Sequence, residues 1–143
     1  LKVLSDEISG VPSITDGDTI KIKDKIIRFH GIDTPEKKQT CYKNFKKYQC
    51  GKEATDALVK KINGNQVYCK VQDRLDRYKR YIGVCFSEQI NLNKWMVRNG
   101  YAFDWPYYSK GKFSNDQEYA KINKLGFWNM KFEYPWIWRK KVR

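Results

Sequence analysis

Asp16-Gly17-Asp18-Thr19-Ile20-Lys21-Ile22-Lys23-Asp24-Lys25-Ile26-Ile27-Arg28-Phe29-His30-Gly31-Ile32-Asp33-Thr34-Pro35-Glu36 is the stretch around which the chain is organised. Ile20 and Ile22 alternate with polar neighbours, and Ile27 and Phe29 do the same. That period of two predicts two strands of a β-hairpin. A tight turn at Asp24-Lys25 sets Ile22 opposite Ile27 and Ile20 opposite Phe29. All four apolar side chains then share one face, and that burial fixes register. The same pairing brings the Asp16–Asp18 end of one strand beside Ile32–Asp33, so two or three carboxylates crowd one rim of a small sheet. Glu36 lies just beyond.

Crowded carboxylates repel unless positive charge sits among them. A hard divalent cation with oxygen ligands answers this, and Ca²⁺ is the most permissive in geometry. Arg28 is the other nearby positive group, planar, permanently charged and forked to fit a phosphate. Acids for a metal, an arginine for phosphate and a glutamate near both point to phosphodiester cleavage. Any one of these residues alone would be ordinary surface chemistry; the combination carries the reading.

The 143-residue chain is long enough for one domain with a real core, and the expectation is a single domain over residues 1–143. No apolar run is long enough to span a bilayer. A net charge of +13 points to a polyanionic partner, nucleic acid first and an anionic membrane surface second. Aromatics make up 15% of the residues, and many are interleaved with Lys and Arg, which suits stacking on unpaired bases.

Four cysteines allow three pairings. If a second hairpin turns about Arg77, Cys69 falls opposite Cys85 at bonding distance. Cys41 and Cys50 then remain as a clasp on one loop. Zinc needs tighter spacing. Disulfides imply an oxidising compartment, so the expected location is secreted or periplasmic.

Leu1 to Gly10 offers a possible lead-in strand. Lys37 to Lys52 is a long basic loop expected to rim the substrate groove. Glu53 to Asn63 predicts a helix, with Ala54, Leu58 and Ile62 at four-residue intervals and Gly64 as its stop. Gln66 to Asp73 and Tyr81 to Phe86 predict the second hairpin. Asn91 caps a second helix through Asn99. Tyr101 to Phe113 reads as an aromatic loop. Ser114 and Gln117 form a capping-box pattern for a third helix to Leu125. A Trp-rich tail follows, over residues 129–143, expected to strap the barrel whose core spans about 11–128. The fold class is therefore α+β, mainly β, and a five-stranded OB-type barrel capped by about three helices fits the element count.

Asp-Gly-Asp-Thr, then Arg28-x-x-Gly-Ile-Asp-Thr-Pro-Glu36, then Asp76-Arg77-Tyr78-Lys79-Arg80 resembles the staphylococcal nuclease family in residue type, order and spacing. The resemblance runs from about Val11 to Trp138, weakens after Gly100, and implies the same OB-type fold. It also implies that the Asp18 and Asp33 carboxylates and the Thr34 main-chain carbonyl bind Ca²⁺, with Asp16 just outside. Glu36 would hold or deprotonate the attacking water, and Arg28 and Arg80 would clamp the phosphate. Arg77 and Tyr78 match positions that contact a terminal phosphate. Tyr108, with Tyr107 beside it, matches a tyrosine packed on the bound nucleotide. The implied activity is Ca²⁺-dependent hydrolysis of DNA and RNA, without sequence preference, to 3′-phosphate ends. The alternative is a barrel of this kind that binds nucleic acid without cutting it.

One departure stands out. Lys79 occupies the place of a glycine that would permit positive φ, so either the lysine is strained or the turn is built differently. His30, the only histidine, reads as structural.

Overall fold

The computed structural model describes residues 4–142. Chain order is β1 (Leu4–Gly10), β2 (Ser13–Asp16), β3 (Thr19–Ile22), β4 (Lys25–Phe29), β5 (Ile32–Asp33), β6 (Cys41–Lys43), β7 (Lys46–Tyr48), α1 (Cys50–Ile62), β8 (Val67–Gln72), β9 (Tyr81–Ser87), β10 (Ile90–Asn91), α2 (Leu92–Arg98), β11 (Phe103–Asp104), α3 (Pro106–Ser109), α4 (Ser114–Ile122) and α5 (Pro135–Lys141). The lead-in strand is present from Leu4 on; residues 1–3, like Arg143 at the end of the tail, lie outside the described residues.

Strands β1-β8-β9-β4-β3-β2 hydrogen-bond in that order into one curled sheet, with β10 added on β9. The β4–β9 pair is parallel and its neighbours are antiparallel. The fold is α+β and mainly sheet, as its residues predict. Ile20, Ile22, Ile27 and Phe29 are fully buried, packed with Val67, Cys69 and Val71 of β8 and with α1 through Ala54, Leu58 and Ile62.

The first hairpin turns one residue earlier than its sequence suggests. Ile20 pairs with Ile27, and Ile22 with Lys25, so Phe29 is not opposite Ile20. Lys23, with φ of 58°, takes the left-handed conformation at the turn. The slip relative to expectation is two residues, which leaves every side chain on its expected face.

The second hairpin turns about Arg77 as expected, with Cys69 opposite Cys85. Both disulfides form, Cys69–Cys85 and Cys41–Cys50. They place the chain in an oxidising environment. No helix among the described residues is long and apolar enough to cross a membrane.

Helix α1 begins at Cys50 rather than Glu53, tied there by the disulfide to Cys41. Asn63 ends it in the left-handed conformation, with Gly64 following. Asn91 caps α2 by accepting the Lys94 N–H at 3.0 Å. Three further expectations need correction. The Ser114 capping box does not form: Ser114 is already helical, and the Gln117 side chain instead accepts the Asp104 N–H at 2.9 Å. The Tyr101–Phe113 stretch is not a plain loop but holds β11 and α3. Five α-helices, not three, surround the sheet among the described residues, because α3 and α5 are short and lack amphipathic length.

Candidate active site

Strand ends bring the acids together. Oδ2 of Asp18 accepts the Thr34 N–H (3.0 Å) and the Thr34 hydroxyl (2.9 Å). This closes the β3 end onto the segment after β5. Asp16 accepts the Asp18 N–H at 3.1 Å and so stands directly behind it. Nη2 of Arg28 lies 3.3 Å from Oδ2 of Asp18 and 3.4 Å from Oδ1 of Asp33. One guanidinium nitrogen therefore joins the two carboxylates. Nη1 of the same arginine donates to the Phe29 carbonyl at 2.7 Å, which fixes the fork on its own strand. Asp18, Arg28, Asp33 and Thr34 are all buried.

Asp33 is held from the other side by β11, whose Phe103 pairs with it in the ladder. Phe103 is the centre of an aromatic cluster with Phe127, Trp128, Phe132, Tyr134 and Trp136. The tail is thus a packed strap, and it delivers a residue the sequence did not announce. Arg139, in the last turn of α5, donates to both oxygens of Asp33 (3.1 and 2.8 Å) and to Glu36 Oε1 (2.7 Å). Trp105 lies under both guanidiniums, its ring centre 5.6 Å from Arg28 and 5.5 Å from Arg139.

Glu36 is positioned by its backbone. Its N–H donates to the Gln39 side chain at 3.0 Å, and the fully buried Gln39 donates in turn to the Glu133 carbonyl of the tail at 2.7 Å. Helix α1 abuts the same spot: a Cβ on Gly51 would sit 1.8 Å from the Glu36 carbonyl oxygen. Only glycine allows that approach. Neither Gln39 nor Gly51 carried a sequence signal beyond being a polar residue and a glycine in a basic loop.

The other expected residues form a separate group on the β8–β9 turn. Oδ1 of Asp76 accepts the Tyr78 and Arg80 N–H groups (2.9 and 2.8 Å), and Oδ2 pairs with Arg80 Nε at 2.9 Å. Lys79 has a φ of 63°. The turn that glycine would make is kept, and the lysine carries the strain. Arg77 donates to the Tyr78 hydroxyl at 2.8 Å, and both Arg77 and Arg80 stack on the Tyr78 ring. No hydrogen bond or ion pair among the described residues joins this group to the carboxylates. Register sets Arg28 beside Ile82 in the parallel pair, so Arg80 starts one strand over and two residues back. Tyr107 and Tyr108 are exposed, and Tyr108 packs on Trp105. His30 bonds through its backbone, donating its N–H to the Gly83 carbonyl and accepting from the Asn93 side chain, and burial lowers its pKa.

The electrostatics are unbalanced. Burial, helped by the Asp18 charge, pushes the Asp16 carboxyl up to about 8. Burial also raises Asp33 to about 6 against the pull of Arg139 and Arg28. Asp18 goes the other way: burial opposes its charge, but Arg28 and the bonds from Asp16 and Thr34 hold it below the ordinary carboxylate range. Burial works against the Arg139 charge too, yet Asp33 and Glu36 hold it more firmly charged than usual. Four carboxylates thus share two guanidiniums, and the donors are all hard oxygens. Hard oxygens are the donor type that a hard cation takes. No group of three or more His, Cys, Asp or Glu residues among the described residues is arranged to hold a metal. A cation here would rest on two carboxylates, a main-chain oxygen and water.

The family model for staphylococcal nuclease homologues matches residues 26–130. The succinoglycan biosynthesis protein ExoI of Rhizobium meliloti is 33% identical over 91% of this chain and 69% of its own length. An uncharacterized endonuclease of Escherichia coli O157:H7 is 34% identical over 96% of this chain and 88% of its own. A probable staphylococcal-like nuclease of rice, CAN3, is 34% identical over 82% of this chain, which spans only 29% of that protein.

Proposed function

Because the chain belongs to the staphylococcal nuclease family, we propose that this rim hydrolyses phosphodiesters in DNA and RNA, without sequence preference, to 3′-phosphate-ended products, with Ca²⁺ as cofactor. One observation carries the reading: a single Arg28 nitrogen shared by Asp18 and Asp33. It supports a reading in which Arg28 would meet a phosphate beside the two carboxylates that would take a cation.

Asp18, Asp33 and the Thr34 main-chain carbonyl would hold the metal, with Asp16 as outer support. A bound divalent cation would neutralise charge on the phosphate oxygens and the leaving group. Glu36 would hold or deprotonate the attacking water. Arg28 would bind the phosphate from the barrel wall. Arg80 would complete the clamp by turning its guanidinium away from Asp76, with which it pairs at 2.9 Å. Arg77 and Tyr78 would meet a terminal phosphate, and Tyr108 with Tyr107 the nucleotide. The two disulfides accord with a secreted or periplasmic protein.

Arg139 supports a second reading. It occupies both Asp33 oxygens and Glu36, as it would in a barrel that binds nucleic acid without cutting it. Incubation with single-stranded DNA separates the two. Cleavage in Ca²⁺ that stops in chelator and falls by about 10²–10⁴ in Glu36→Gln supports hydrolysis. Salt-sensitive binding without cleavage supports the second.

A further inference from the structure

The β6–β7 hairpin holds an unfavourable residue at its turn. Asn44 and Phe45 join the strands with φ of 52° and 63°. Two left-handed residues make the turn type in which glycine is strongly preferred second. Phenylalanine stands there instead, its ring wholly in solvent at 107% exposure. Strained backbone and an exposed apolar ring are both unfavourable to the fold, and such an outlier is grounds for a functional hypothesis.

Its surroundings say what the ring meets. Phe45 borders a groove of about 770 Å³, lined also by Tyr42, Lys43, Lys124, Trp128 and Lys131. The indole N–H of Trp128 is buried without a hydrogen-bond partner. The walls are locked together. Tyr42 and Lys131 exchange backbone hydrogen bonds at 2.9 and 2.7 Å, and Cys41–Cys50 ties the hairpin to α1. From Lys37 to Lys52 there is no acidic residue. Aromatic faces alternating with ammonium groups in a preformed groove match a single-stranded nucleic acid, whose bases stack while its phosphates pair with lysine.

We infer that this groove is an accessory site for single-stranded nucleic acid, with Phe45 as a base-stacking platform and Lys43, Lys124 and Lys131 as phosphate contacts. It rests on the nuclease reading for its ligand class and gives the enzyme a hold on long strands that a dinucleotide lacks. A membrane surface would also accept an exposed Phe among lysines, but it would not use a concave groove.

The test measures anisotropy of labelled dT15 and pTpT on the Glu36→Gln chain, with Phe45→Gly and Lys124→Glu added singly, and cleavage of pTpT by chains with Glu36 intact. Phe45→Gly should weaken dT15 binding by about 5- to 100-fold, the range of one lost base stack. It should melt no lower than its parent and leave pTpT binding and cleavage unchanged. Lys124→Glu should also weaken dT15 and flatten its salt dependence. Undiminished dT15 binding by Phe45→Gly overturns the inference. So does unchanged dT15 binding beside weakened sedimentation with phosphatidylserine vesicles, run as a parallel arm, which would make the patch a membrane contact. Equal loss for dT15 and pTpT overturns it as well. If the intact chain cleaves pTpT, such failures leave the nuclease reading standing; if it neither binds nor cleaves either probe, both fall.

Discussion

Asp33 takes one guanidinium from Arg28, five residues back in the barrel, and another from Arg139, 106 residues on in the tail. The two contacts look alike and are built differently. Arg28 lies mid-strand, 10% exposed, with β3 and β9 paired on either side. Its backbone cannot move without opening the sheet. Arg139 lies near the end of a seven-residue helix, 26% exposed, beside Lys140 and Lys141 in a last turn whose charge suits the helix dipole. Its position depends on the packing of the tail and not on the strand ladder. The barrel arginine is therefore fixed by the sheet, whereas the tail arginine reaches the same carboxylate only through the packing of the tail.

That contrast can be broken most severely at Arg28. Arg28→Ala leaves the buried Asp18 without an ionic partner and takes one of two guanidiniums from Asp33, which should cost about 3–5 kcal/mol of stability and abolish cleavage at every cation concentration. Denaturant melts and a cation titration of cleavage check both halves. Arg139→Ala should act oppositely. It should lower the cation concentration for half-maximal cleavage several-fold and leave the saturated rate within a few-fold of wild type. A rate loss like that of Arg28→Ala would make Arg139 part of the working site and erase the distinction.

The same contrast explains what could be read in advance. Asp18, Arg28 and Asp33 fall within one short stretch whose alternation dictates faces, and face is most of what their meeting requires. The slip of the Ile20–Ile27 register did no harm, because a period of two is blind to an even shift. Arg139 could not be read this way. In Trp136-Ile137-Trp138-Arg139-Lys140-Lys141 it is one of several cations, and only the packing of Phe103, Tyr134 and Trp136 tells which one turns inward. Gln39 is similarly silent: a lone polar residue among lysines gives no hint that it is fully buried and links Glu36 to the tail. The Ser114 capping box failed because Asp104, a tertiary partner, claimed Gln117.

The smallest effect belongs to the turn that aims Arg80. Lys79 holds a φ of 63°, and glycine is free of that strain. Lys79→Gly should raise stability by roughly 0.5–1 kcal/mol, seen as a small upward shift in the melting midpoint. An unchanged or lower midpoint would mean that the lysine side chain contributes more than its backbone costs.

Calorimetric titration with Ca²⁺ tests the central claim most directly. One ion should bind per chain, and binding should vanish in Asp18→Asn while the fold survives by circular dichroism. No heat from the wild type, or the same isotherm from Asp18→Asn, would contradict a cation site between Asp18 and Asp33.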